Sequence, residues 1–155
     1  DNFGETIKTF LHKNDLFIIL DTNFSNWNIS DDQLKLVNNI LSKKSNNFKN
    51  VFIFTHQIIW FNHHGFSRVS INSYEGLEDE QTNYWSIFEP LLKQYNYNYY
   101  MIAGDTGARN NNREIFCKKF NDITYIASGM GNRIKDNYLI VESNNDNVKI
   151  SPIIF

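Results

Sequence analysis

The chain has 155 residues, 41% hydrophobic and 15% aromatic, enough for one compact domain with a packed interior. Charged residues make up 21% and the formal net charge is −2, a near-neutral balance without a Lys/Arg run that argues against a nucleic-acid partner. No apolar stretch approaches the ~20 residues needed to cross a bilayer, and Cys117, the only cysteine, excludes an internal disulfide and a cysteine-built zinc site.

The chain begins at Asp1 with no charged-then-apolar leader, so a processed, trimmed or partial chain is expected. Residues 6–12 alternate in polarity, Lys13-Asn14-Asp15 supply turn residues, and Leu16–Leu20 run apolar. This pattern predicts a hairpin leading into a buried strand that Asp21 closes. After a polar loop over 22–28, Ser30-Asp31-Asp32-Gln33 fits a capping box, with two acidic residues in the first turn to suit the helix dipole. Leu34, Val37, Ile40 and Leu41 recur at helical spacing, so residues 31–43 are expected to form an amphipathic helix. Val51–Thr55 reads as a second buried strand, ending on His56.

Residues 61–80 show no clean period and carry Gly65 and Gly76; a loop of that length in a compact domain is usually functional or mobile. Trp85, Phe88, Leu91, Leu92 and Tyr95 mark a second helix, in which Pro90 kinks the helix or begins its regular part. Tyr99–Ala103 is a third strand, followed by Gly104-Asp105-Thr106-Gly107. Ile123–Ala127, Tyr138–Val141 and Val148–Ile154 are further strands, with Gly129 and Gly131 separating the first two. The asparagine tracts, Asn110-Asn111-Asn112 and Asn144-Asn145, read as loop composition. The order predicts a mixed α/β fold, with early strand-helix alternation giving a mixed or parallel sheet and the last third adding antiparallel strands.

Short apolar strands that each end in a polar residue and a loop are where α/β folds place their sites. Asp21, His56 and Asp105 stand at three such ends, and strand carboxyl ends of one sheet converge. His63 and His64 lie in the long loop after His56, and Arg109 closely follows the Gly104-Asp105-Thr106-Gly107 turn. His12, in the predicted hairpin, has no assigned role.

Phe52-Ile-Phe-Thr-His56-Gln57-Ile-Ile-Trp60, followed by Met101-Ile-Ala-Gly104-Asp105-Thr106-Gly107, resembles the second half of a calcineurin-like metallophosphoesterase. Leu20-Asp21-Thr22-Asn23, the loop with Trp27 and the capped helix resemble that family's middle segment, and Ile123–Gly129 its terminal sheet, so the likeness spans nearly the whole chain. The resemblance implies a four-layer αββα sandwich, with residues 1–155 one domain that forms the C-terminal portion of a longer phosphoesterase domain. It further implies hydrolysis of a phosphoester substrate at a pair of Mn, Fe or Zn ions that clamp the phosphate and activate a bridging water, with His56 carried over as a ligand. His63 and His64 are then candidates for contact with the substrate phosphate, as is Arg109, whose guanidinium suits bidentate phosphate binding. Gly104-Asp105-Thr106-Gly107 stands where the family has Gly-His-x-His. Asp105 retains an oxygen ligand for a hard or borderline cation, whereas Gly107 has none, and the family's upstream ligands have no counterpart before Asp21.

Two alternatives follow from the same residues. A phosphoesterase-fold binding domain with a decayed metal site is favoured by Gly107, with Trp60-Phe61 and Tyr74 as an exposed contact surface. A haloacid-dehalogenase-like phosphatase would use Asp21, Thr55 and Gly104-Asp105, but Asn23 replaces its general acid/base, and Arg109-Asn110 occupy the place of its last acid. No Gly-x-x-x-x-Gly-Lys-Ser/Thr run is present, which excludes a P-loop.

Overall fold

The apolar runs predicted as strands form the centre of a six-stranded mixed sheet. A computed structural model describes residues 7–23, 26–45, 47–66, 71–73, 82–106, 115–130, 136–144 and 147–154. In chain order the elements are β1 (Lys8–His12), β2 (Asp15–Ile19), α1 (Asp31–Leu41), β3 (Asn50–Thr55), α2 (Glu89–Leu92), β4 (Asn98–Ala103), β5 (Ile115–Phe120), β6 (Ile123–Ser128), β7 (Asn137–Asn144) and β8 (Asn147–Ile154). The sheet runs β1-β2-β3-β4-β6-β5, and β7 and β8 pair separately as an antiparallel ribbon. Strands β2, β3, β4 and β6 are mutually parallel, while β1 and β5 close the sheet as antiparallel edges. The chain is therefore a mixed α/β fold, as the element order predicts.

Alternation along the strands divides the apolar residues between two faces. Leu16, Ile18, Val51, Ile53, Tyr99, Met101, Ile123 and Tyr125 face Val37 and Leu41 of α1, Phe88 and Leu92, forming the main core. Phe52, Ile102 and Ile126 face the other way, against Leu139, Val148 and Ile150 of the ribbon. On that second face, Phe10, Phe17, Phe52 and Tyr100 stack across β1 to β4 with successive ring centroids 4.8, 5.1 and 4.8 Å apart. Cross-strand aromatic pairs of this kind add ~0.5–1.5 kcal/mol beyond burial. Among the described residues the layers are thus helices and loops, the sheet, and the ribbon.

Helix α1 ends at Leu41, two residues short of its expected bound, and Ser42 caps it through N–H bonds to Asn38 and Ile40. The Ser30 Oγ accepts from the Gln33 N–H, as a capping box requires. The Gln33 amide, however, reaches the backbone of Asp21: its Nε2 donates to the Asp21 carbonyl at 2.7 Å, and its Oε1 accepts the Asp21 N–H at 2.9 Å. The second predicted helix is shorter than its apolar spacing suggests. Tyr84–Phe88 form a π-helical turn, and Pro90 opens the regular α2 behind it, where a missing N–H breaks no bond. Strand β5 was absent from the sequence pattern, because Ile115-Phe-Cys-Lys-Lys-Phe120 buries only Phe116 and is an edge strand.

Several asparagines do more than fill loops. Asp15, Asn50 and Asn98 begin three neighbouring parallel strands in register. Asn50 Nδ2 donates to Asp15 Oδ1 at 2.8 Å and Asn98 Nδ2 to Asn50 Oδ1 at 3.0 Å. Asn83 holds both backbone groups of Ile29, at 2.9 and 2.8 Å.

The aromatic stack predicts a graded response. Phe52→Ala, at the buried centre, is expected to cost ~3–5 kcal/mol, whereas Phe10→Ala, at the half-exposed edge, should cost less than ~1.5 kcal/mol. Denaturant unfolding of the two variants checks the difference.

Candidate functional site

The register of the parallel strands determines what stands beside what at their carboxyl ends. Thr55, Ala103 and Ala127 are neighbours across β3, β4 and β6. One residue further, Asp21, His56, Gly104 and Ser128 lie side by side: the Leu20 N–H donates to Phe54 O at 2.9 Å, and the Gly104 N–H donates to His56 O at 3.2 Å. A Cβ on Gly104 would lie 3.9 Å from His56 Nδ1 and 3.8 Å from Ser128 O, so the imidazole stands directly against this backbone. His56 is exposed.

Beside His56 is an open cleft of ≈ 690 Å³, lined by Ile19, Leu20, Asp21, Thr22, Asn23, Phe54, Thr55, His56 and Gln57. Its floor is a hydrogen-bonded polar network. The Thr22 hydroxyl donates to Gln57 Oε1, and Gln57 Nε2 lies 3.5 Å from Asn23 Oδ1. The Asn23 N–H donates to Asp21 Oδ1 at 2.9 Å, and the Thr55 hydroxyl to Gln57 O at 2.8 Å. Thr22 and Gln57 are buried and satisfy one another, while Asp21 is half-buried and Asn23 exposed at the mouth. The Gln33 amide holds the Asp21 backbone from below, so α1 and β2 position this corner together.

Asp105 follows β4 at the same edge, but its surroundings differ. It is 1% exposed. The Ser73 hydroxyl donates to Asp105 Oδ1 at 2.9 Å, and the Ser73 N–H approaches Oδ1 and Oδ2 at 3.2 and 3.4 Å. The Asn72 N–H donates to Asp105 O at 3.1 Å. Ile71 of the same segment belongs to the main core. Continuing the strand alternation turns Asp105 toward this helix-side core and His56 toward the opposite side of the edge. The structure therefore brings the two residues to adjacent strand ends, with Asp105 committed to holding the 71–73 segment. No group of three His, Cys, Asp or Glu placed to hold a metal occurs among the described residues.

The remaining sequence candidates separate from this edge. His63 packs on Trp85 and on Phe120, with centroids 4.4 and 5.1 Å apart. Phe120 pairs with Ile123 at the amino end of β6, the opposite end of the sheet from His56. His64 stacks on His63 at 4.2 Å. Arg109, Gly107 and Tyr74 lie outside the described residues. Trp60, expected on an exposed contact surface, is 0% exposed, packed on Tyr125 at 5.5 Å. Phe61 is half-buried, with its ring edge-on to Trp27 at 5.8 Å. The apolar Ile58-Ile59-Trp60 run was the signal for this burial, and the main core claims all three residues. Sequence reasoning missed Gln57, Ser73 and the tie from Gln33 to the Asp21 backbone, because these roles depend on partners 12 to 35 residues away.

Gly129, after β6, closes the edge. A Cβ there would sit 2.0 Å from Thr106 O and 2.7 Å from Gly104 O, contacts no side chain tolerates. Gly129→Ala is therefore expected to displace the 104–106 turn and cost upward of ~3 kcal/mol. Asp105→Ala, which strips the acceptor from the Ser73 N–H, should cost ~1–3 kcal/mol, and Asp105→Asn, which keeps an acceptor, less than ~1 kcal/mol. Thermal unfolding of the three variants tests this order, and equal losses for Asp105→Ala and Asp105→Asn would contradict it.

No family model and no curated protein matches the chain. Among solved structures it is similar to one described as "GAP50 the anchor in the inner membrane complex of Plasmodium", with 17% identity and a TM-score of 0.47. The match covers 94% of this chain and 42% of that one, so the chain spans less than half the length of its structural neighbour.

Proposed function

We propose that this chain is a calcineurin-like phosphoesterase-type domain that binds a phosphoester-bearing ligand beside His56 without hydrolysing it. The observation that carries the reading is the engagement of Asp105. In the family it resembles, that position supplies a ligand to the same metal centre as the histidine after the preceding strand. Here the carboxylate is buried on the Ser73 N–H and hydroxyl, which argues against a cation shared with His56. The exposed groups at the cleft are the His56 imidazole and the Asn23 amide, both hydrogen-bond donors suited to phosphoester oxygens, beside the half-buried Asp21 carboxylate. The Thr22–Gln57 network keeps the cleft's shape without itself being available to a ligand.

A second reading has its own support. Asp21, His56 and Asp105 converge on one sheet edge, where a Mn-, Fe- or Zn-dependent phosphoester hydrolase of the αββα type would place its ligands. In that reading His56 and Asp105 are ligands, further ligands come from outside the described residues, and the metals would supply an activated water.

Hydrolysis of p-nitrophenyl phosphate and its bis-ester, with Mn, Fe or Zn added, separates the two. The expected result is a rate equal to that of the metal salt alone. Inorganic phosphate should perturb the His56 imidazole resonances, and His56→Ala should weaken its binding on the order of tenfold, the loss of one charge-assisted hydrogen bond. Metal-dependent turnover that His56→Ala abolishes would establish the hydrolytic reading instead.

A further inference from the structure

The turn at residues 63–66 builds a titratable group into the packing of the opposite end of the sheet. The His63 ring lies between the rings of His64 and Trp85, at 4.2 and 4.4 Å, with Phe120 at 5.1 Å and Phe66 at 6.0 Å. Its Nδ1 accepts the Gly65 N–H at 3.1 Å, which requires a neutral imidazole carrying its proton on Nε2. Lys118 Nζ donates to the Gly65 carbonyl at 2.6 Å, and lies 5.3 and 5.6 Å from the ring centroids of Phe66 and Phe120. Both backbone groups of Gly65 are thus held by side chains, one of which can act only while uncharged.

We propose that this turn is a pH-operated clasp: a proton added to His63 Nδ1 removes the acceptor of the Gly65 N–H and frees the 63–65 segment from Trp85 and β5. The ionisable groups that face the imidazole are His64 in the turn, Lys118 on β5 and Glu89 on α2. Burial, His64 and Lys118 all lower the His63 pKa from 6.5, while Glu89 opposes them. The Glu89 carboxylate is itself engaged, by Asn121 Nδ2 at 3.0 Å and Lys93 Nζ at 3.5 Å. The closed turn therefore binds the proton less tightly than the open one. Closure is fully favoured above pH 6.5 and is lost as the pH falls through the lower pKa of the closed turn. Phe66 is 1% exposed, with its ring 4.8 Å from that of Tyr125, so opening leaves this anchor in place and stays local. The turn lies between Gln57 and the Ile71–Ser73 segment held on Asp105, so acidification removes one anchor from the loop that borders the candidate site.

The test is amide exchange at Gly65 and Phe66, together with ¹⁵N shifts of the His63 imidazole, from pH 8 to pH 5. Protection of Gly65, corrected for intrinsic exchange, is expected to fall on the order of tenfold with the same midpoint as His63, while far-UV circular dichroism stays constant. His63→Asn offers a non-titrating acceptor in place of Nδ1 and should show no transition, whereas His64→Asn should keep it. A Gly65 amide that stays protected beside a His63 imidazolium overturns the proposal, as does a transition that persists in His63→Asn or disappears in His64→Asn. If His63→Asn lowers protection already at pH 8, coincidence of the two wild-type midpoints decides the matter: coincidence supports the clasp and separation refutes it.

Discussion

In-register parallel pairing of β2, β3, β4 and β6 is the constraint on which the rest of this structure depends. Because the strands start level, from Asp15, Asn50 and Asn98, they also end nearly level, and the residues at their carboxyl ends become neighbours. That is why Asp21, His56, Gly104 and Ser128, spread over 108 positions of the sequence, meet along one edge. The same closeness excludes side chains where backbones converge. Gly129 faces the carbonyls of Thr106 and Gly104 at distances that leave no room for a methyl group.

Strand packing on both faces makes this register hard to slip. A one-residue shift of β3 would exchange Ile53 and Val51 of the helix-side core with Phe52 and Phe54 of the ribbon side. It would also break the aromatic stack from Phe10 to Tyr100 and misalign Asn50 with Asp15 and Asn98. The hydrophobic effect supplies most of the stabilisation here; the asparagine ladder, worth ~1 kcal/mol per bond, contributes alignment.

Loops in this protein are held by single polar side chains that each bind two groups of one residue. Gln33 holds both groups of Asp21, Asn83 both groups of Ile29, and Asp105 both the N–H and the hydroxyl of Ser73. Each such tie satisfies donors or acceptors that burial would otherwise leave unpaired. Buried Asp105 and Gln57 therefore serve the shape of the edge, while His56 and Asn23 remain open to a ligand. The tyrosine pair at the centre follows the same rule. Tyr84 and Tyr125 are hydroxyl-bonded at 3.0 Å, and burial pushes both well above their ordinary pKa, so they stay neutral partners.

What the amino-acid sequence by itself determined is the set of elements whose period is local. The first hairpin, α1, the apolar strands, β6 and the final two strands all follow from alternation, helical spacing and turn residues. Tertiary structure alone decided the partners. Edge strand β5 buries one residue and so carries no period to read. The π-helical turn before Pro90 arises from packing Tyr84 and Phe88 together into the core. Asp105 looks like a ligand in sequence because a carboxylate after a strand has no visible partner there. Its partner, Ser73, lies 32 residues away on a loop without pattern. His63, likewise, reads as a free loop histidine until β5, which has no sequence signature, places Phe120 and Lys118 around its turn. Periodicity reports which side of an element is buried; it carries no information about what is brought against it.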